Sequence, residues 1–179
     1  EESSIRNHYN QLVVHLRDRN GSGISVDVIF RVFPDGVGFR YSFPRQPGLD
    51  YFIVKEEDTH YRMAGDHKAF WIPGDFDSNE YPYNTTRLSS IDAVAAASTE
   101  KDIAVTSLVG PNAVQTPLMM KSDRGVYINI HEAALVNYPA ANLDLDKPSM
   151  TFRTILVPDA VGNKAYLHTP CVTPWRTVI

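Results

Sequence analysis

Phe30-Arg31-Val32-Phe33-Pro34-Asp35-Gly36-Val37-Gly38-Phe39-Arg40-Tyr41 decides the fold class. On its N-terminal side the run Ile24-Ser25-Val26-Asp27-Val28-Ile29-Phe30-Arg31-Val32-Phe33 is apolar at most even positions. On its C-terminal side Val37-Gly38-Phe39-Arg40-Tyr41-Ser42-Phe43 is apolar at every odd position. Alternation of period two gives a strand one apolar and one polar face, and Pro-Asp-Gly between two such runs is turn chemistry. The segment therefore predicts a β-hairpin. Outward toward the N-terminus, residues 9–17 form a further strand, ended by the turn segment Asp18-Arg19-Asn20-Gly21-Ser22-Gly23.

Toward the C-terminus the same signal recurs in shorter pieces. Residues 52–54, 70–72, 103–105, 118–120, 126–130, 151–157 and 164–167 read as strands, with many of the 12 prolines and 10 glycines falling between them. Short strands at regular spacing with turn residues between them predict an all-β, antiparallel β-sandwich. Helix is restricted to Ser90–Ser98 and, more briefly, Glu132–Leu135, both too short for propensity to decide. No repeat or linker interrupts residues 1–179, which read as one domain.

The chain has 179 residues with 17 Lys+Arg against 21 Asp+Glu, a formal charge of −4, and a pI near 5.8. Nucleic-acid binding relies on clustered Lys and Arg. The densest basic stretch here, Arg17-Asp18-Arg19, neutralises itself, so nucleic acid is not an expected partner. No apolar run reaches the ~18 residues of a membrane span. Cys171 is the only cysteine, which excludes an intrachain disulfide and a thiolate metal cluster. The chain opens on Glu1-Glu2-Ser3-Ser4 without Met and closes on the β-branched run Trp175-Arg176-Thr177-Val178-Ile179. Both ends are those expected of a piece of a longer protein.

Candidate chemistry concentrates in Val126-Tyr127-Ile128-Asn129-Ile130-His131-Glu132-Ala133-Ala134-Leu135. The strand ends in three polar groups, Asn129, His131 and Glu132, beside small alanines. Strand ends suit ligand presentation because the backbone is fixed while the side chain reaches past the rim. Glu132 is a hard oxygen donor suited to calcium, and equally a residue that caps a turn or pairs with an arginine. Parity adds a constraint: Glu132 shares a face with Ile128 and Ile130, so a bulge or the strand end must redirect it to serve as a ligand. His131 reads as structural, Trp71 and Trp175 as core aromatics rather than sugar platforms, and Asp75, Asp77 and Glu80 as a solvated acidic loop. Asn84-Thr85-Thr86 fits the N-glycosylation pattern, which a bacterial origin would make meaningless.

Four separated motifs carry a resemblance. The hairpin above, His131-Glu132-Ala133-Ala134-Leu135-Val136-Asn137-Tyr138-Pro139, Pro158-Asp159-Ala160-Val161-Gly162-Asn163-Lys164 and Thr173-Pro174-Trp175-Arg176-Thr177 resemble the N-terminal domain of glycoside hydrolase family 97. The nearest branch is the starch-utilisation α-glucosidases of Bacteroides. The resemblance implies a galactose-mutarotase-like β-super-sandwich, here without its beginning, joined to a catalytic (β/α)₈ barrel that would follow residue 179. It implies that Glu132 is lent across the domain boundary as one Ca²⁺ ligand, the barrel supplying the other ligands and the general acid and base. It further implies an oligosaccharide substrate, periplasmic or otherwise exported location in a Gram-negative bacterium, and no hydrolysis by the 179 residues alone. An α-galactosidase of the same family and a self-standing carbohydrate-binding sandwich are the alternatives. A fragment of this kind would expose apolar surface and sheet edges, and so form homodimers.

Overall fold

A computed structural model describes residues 3–4 and 6–179; Glu1 and Glu2 of the opening segment lie outside the described residues. Alternation produces strand after strand: β1 (Asn10–Arg17), β2 (Ser25–Phe33), β3 (Gly36–Phe43), β4 (Tyr51–Val54), β5 (His60–Arg62), β6 (Lys68–Trp71) and β7 (Asn84–Arg87). After a 3₁₀ turn (Leu88–Ser90) and the helix α1 (Ala93–Ser98) come β8 (Ala113–Gln115), β9 (Leu118–Lys121), β10 (Tyr127–Ala133) and β11 (Ala141–Asp146). The last are β12 (Thr151–Leu156), β13 (Ala165–His168), β14 (Cys171–Val172) and β15 (Trp175–Val178).

The hairpin is as expected: β2 and β3 pair antiparallel from Asp27↔Ser42 to Phe33↔Gly36, around a turn at Pro34-Asp35. Gly36 is required by its surroundings, because a Cβ there would stand 2.6 Å from the Val178 carbonyl oxygen. The larger sheet runs β1-β2-β3-β15-β10-β9-β6-β7, with β14 also paired to β3. A second sheet runs β5-β12-β11-β8, and β13 pairs with β4. All of the strand pairs are antiparallel.

The two sheets bury their facing apolar residues against each other. Ala69, Trp71, Leu118, Met120 and Ile130 come from the larger sheet, and Tyr61, Val114, Leu143, Leu145 and Phe152 from the smaller. Leu88, Ile91 and Ala93 plug one side of this core. Alternation explains which residues meet: Leu118 and Met120 are fully buried while Met119 between them is exposed. At ~25 cal/mol per Å² of apolar area, burial of side chains such as Phe152 and Leu118 stabilises by about 1.5–3 kcal/mol each.

Three expectations need correction. Residues 103–105 form no strand; nearby, Leu108 makes an isolated bridge to Asp75. Glu132–Leu135 is not helical, because β10 continues through Glu132 to Ala133, and Ala134 (φ 57°) then turns the chain away. The helix expected over residues 90–98 is the single turn-and-a-half α1, capped by Asp92, whose carboxylate accepts from the Ala95 N–H at 2.9 Å, while the Ala93 N–H donates to the Pro111 carbonyl at 2.8 Å.

Candidate functional site

Strand parity sorts the three polar residues of β10. β10 pairs with β15 in regular register, Ile130↔Val178, His131↔Thr177, Glu132↔Arg176 and Ala133↔Trp175, with no bulge. The bulge that would redirect Glu132 is absent, so it stays on the face that carries Ile130, and Asn129 and His131 point the other way. It lies one residue from the end of β10, and there it borders a cavity from that inner face. His131 Nδ1 lies 3.2 Å from the Thr177 hydroxyl on that opposite face, so it does not orient Glu132.

A carboxylate on a core-facing position needs compensation. Glu132 finds it in Arg176, its cross-strand neighbour, whose Nη1 donates to Glu132 Oε1. Glu132 Oε2 accepts from the Ala141 N–H at 3.0 Å. The Thr116 hydroxyl stands 3.3 Å from the same oxygen and 3.1 Å from the Ala141 carbonyl, and its single proton serves one at a time.

Arg176 is only 2% exposed and is held from the other side by Glu57, also buried. Its Nε donates to Glu57 Oε1 at 2.8 Å and its Nη2 to Oε2 at 2.7 Å, a two-pronged pair. Glu57 also accepts from the Tyr138 hydroxyl at 3.0 Å and the Thr59 hydroxyl at 2.9 Å; Thr59 in turn meets the Tyr41 hydroxyl at 2.8 Å. Burial alone would push the guanidinium down, yet Glu57 and Glu132 hold it above its ordinary value. Burial, reinforced by Glu57, pushes the Tyr138 phenol well up, so it remains a hydrogen-bond donor across the physiological range. Two carboxylates share one guanidinium, leaving one formal negative charge in the cluster. Glu57, Arg176 and Tyr138 were absent from the sequence-based candidates. Parity would have found Arg176, which shares its face with Val178 in a strand whose core-facing positions are otherwise apolar.

Through Glu132 the cluster reaches an open cavity of about 400 Å³. Glu132, Thr116 and Gln115 line one side, and Asp77, Asn79 and Asn142 are among the other polar lining residues. The acidic loop on this wall is not the solvated loop that the sequence suggested. Asp75 is 4% exposed and organises its neighbours: its carboxylate accepts from the N–H groups of Asp77 (2.8 Å), Ser78 (3.0 Å) and Ser107 (3.0 Å) and from the Tyr81 hydroxyl (2.8 Å). Burial works to raise the Asp75 carboxyl, but these four donors outweigh it and hold the group below its usual value. Trp71 is core, 2% exposed, with its indole N–H given to the Thr86 hydroxyl at 2.9 Å. Trp175, expected in the core, is only partly buried, with the Arg31 and Arg40 guanidiniums 4.8 and 4.5 Å from its ring centroid.

Calcium takes roughly six to eight oxygens. Among the described residues no three His, Cys, Asp or Glu side chains converge on one point. Glu132 retains unused lone pairs, since a carboxylate offers about four acceptor sites. Its chemistry suits one position of a hard-cation shell, and this chain assembles no complete shell among the described residues.

Comparison with known proteins places these features in a family. A family model described as "Glycosyl-hydrolase 97 N-terminal" matches residues 1–179. Among solved structures, a glycoside hydrolase family 97 enzyme from Pseudoalteromonas sp. strain K8 in complex with acarbose is 31% identical, with a TM-score of 0.76 over 95% of this chain. A variant of that enzyme in complex with panose is likewise 31% identical, TM-score 0.76, over 95% of this chain. A β-arabinopyranosidase shares the fold at 20% identity, with a TM-score of 0.71 over 97% of this chain. The chain spans 23% of the length of the two family 97 structures and 27% of the arabinopyranosidase. No helix is long and apolar enough to cross a membrane among the described residues. Matched along its whole length and aligned with solved relatives at 31% identity, the chain belongs to glycoside hydrolase family 97, as its N-terminal domain.

Proposed function

We propose that this domain serves a calcium-dependent α-glucosidase acting on starch-derived oligosaccharides, and that Glu132 is its one contribution to the calcium shell. The observation that carries the reading is the Glu132 carboxylate on the wall of an open cavity, already fixed by Arg176 and the Ala141 N–H. A fixed oxygen with spare lone pairs binds a hard cation with less ordering cost than a free side chain. The acarbose and panose bound by the family 97 enzyme support an α-glucosidic substrate. Bound calcium would supply positive charge for orienting the sugar. The residues of this chain hold Glu132, shape the cleft wall and exclude water from Arg176. A catalytic (β/α)₈ barrel following residue 179 would supply the other ligands, and the acid and base that glycoside hydrolysis needs. The enzyme would work in the periplasm or be otherwise exported.

The test is calcium titration of the full-length enzyme and its Glu132→Gln variant, following hydrolysis of a nitrophenyl α-glucoside. Half-activation should need at least tenfold more calcium in the variant, since the amide oxygen is neutral. Unchanged calcium dependence would remove Glu132 from the shell. The purified 179-residue chain should show no turnover of the same substrate, and turnover would refute a division of labour between domains.

A further inference from the structure

The trio of buried Glu57 and Arg176 with partly buried Glu132 raises a question of purpose: Arg176 could simply discharge Glu132, or it could aim it. Glu57 decides between these. It occupies two of the three guanidinium nitrogens, through Nε–Oε1 at 2.8 Å and Nη2–Oε2 at 2.7 Å, and leaves Nη1 for Glu132. As a unit, Glu57 and Arg176 are neutral, so Glu132 keeps its negative charge while receiving a fixed donor. The orientation of the guanidinium is over-determined, because Glu57 is itself tied to the Tyr138 and Thr59 hydroxyls at 3.0 and 2.9 Å. The three residues come from separate parts of the chain, a loop before β5, the end of β10 and the centre of β15. Within the cluster only Glu132 reaches the cavity wall.

Resting on the reading of Glu132 as a calcium ligand, we infer that Arg176, locked by Glu57, is the positioning residue that aims the Glu132 carboxylate at the cation. A lysine at this place keeps the charge but has no rigid fork with which to satisfy both carboxylates at once. Loss of groups that orient a metal ligand weakens metal affinity by about 10–100-fold.

Calcium affinity measured by calorimetry on the metal-free full-length enzyme tests this, for wild type, Arg176→Lys, Glu132→Gln and the double variant. Arg176→Lys should raise the calcium Kd at least tenfold. In the Glu132→Gln background it should raise it no further, because there is no carboxylate left to aim. A purely structural role would weaken binding equally in both backgrounds. A Kd within twofold of wild type for Arg176→Lys, with Glu132→Gln weakened, overturns the positioning role and leaves the ligand assignment standing. An unchanged Kd for Glu132→Gln overturns both. Should Arg176→Lys fail to fold, Glu57→Gln leaves the guanidinium in place but frees it to turn. It should raise the Kd at least threefold, and a change under twofold overturns the proposal.

Discussion

Glu57 and Arg176, 119 residues apart in sequence, close on each other through two hydrogen bonds of 2.8 and 2.7 Å in the interior of the domain. Their side chains are 4% and 3% exposed, so neither charge has solvent to fall back on. Removing one member of such a pair strands the other. Arg176→Met, close in volume but neutral, leaves the buried Glu57 and the partly buried Glu132 without a cation. It should cost about 3–5 kcal/mol. Urea unfolding of the domain checks this, and a cost under ~1 kcal/mol would mean that water reaches the cluster.

Asp75 fastens the wall of the cavity in the same manner but with uncharged donors. Its pKa is lowered in the folded state, so its contribution to stability is complete above the unfolded carboxylate value of about 4. That contribution is lost as the pH falls through the lower native value. Asp75→Asn exchanges an acceptor for an NH₂ that faces N–H donors, at a cost of about 1–3 kcal/mol near neutrality. The gap between wild type and variant should narrow below about pH 4. A gap independent of pH would show that the carboxylate charge plays no part.

Gly74, immediately before that anchor, lies against β8. Its N–H donates to the Ala113 carbonyl at 2.8 Å, and a Cβ would stand 2.8 Å from the Ala113 Cβ and 2.9 Å from its carbonyl carbon. Gly74→Ala must therefore push one backbone segment off another, costing about 1–3 kcal/mol. At ~2–4 °C per kcal/mol for a domain of this size, calorimetry should show the midpoint falling by several degrees. An unchanged midpoint would mean that β8 yields freely.

Among the described residues β1 is a sheet edge, and its Leu12 and Leu16, with Val32 on β2, are 59%, 50% and 51% exposed on one face. An unpaired edge beside an apolar row favours pairing with a second copy. The isolated chain should be dimeric or larger by light scattering at about 100 µM protein. Leu12→Lys with Leu16→Lys should return it to a monomer, whereas a wild-type monomer at every concentration would defeat the prediction.

The hairpin was legible because two independent signals, alternation and turn chemistry, agree over residues 24–43. Residues 103–105 misled because an apolar triplet says nothing about whether a partner strand lies beside it. β11 went unread although Leu143 and Leu145 alternate with Asn142, Asp144 and Asp146, since those polar types favour turns in isolation. Glu132 stood out in the sequence as a carboxylate on the apolar face of its strand, and pairing with an arginine was among the roles its type allowed. Its actual surroundings depend on Glu57 and Ala141, which sequence separation hides. Burial of Asp75 was equally invisible, because the donors that make it tolerable include the Tyr81 hydroxyl and the Ser107 N–H, the latter 32 residues away in sequence.

β15 lies between β3 and β10, so the larger sheet is two separate halves until residues 175–178 arrive. Val37 waits 141 positions for its partner Val178. At ribosomal speeds of ~5–20 residues per second that is on the order of ten seconds of synthesis. For that interval the nascent hairpin keeps one flank without hydrogen-bond partners, a window in which holdase chaperones would find a ready client.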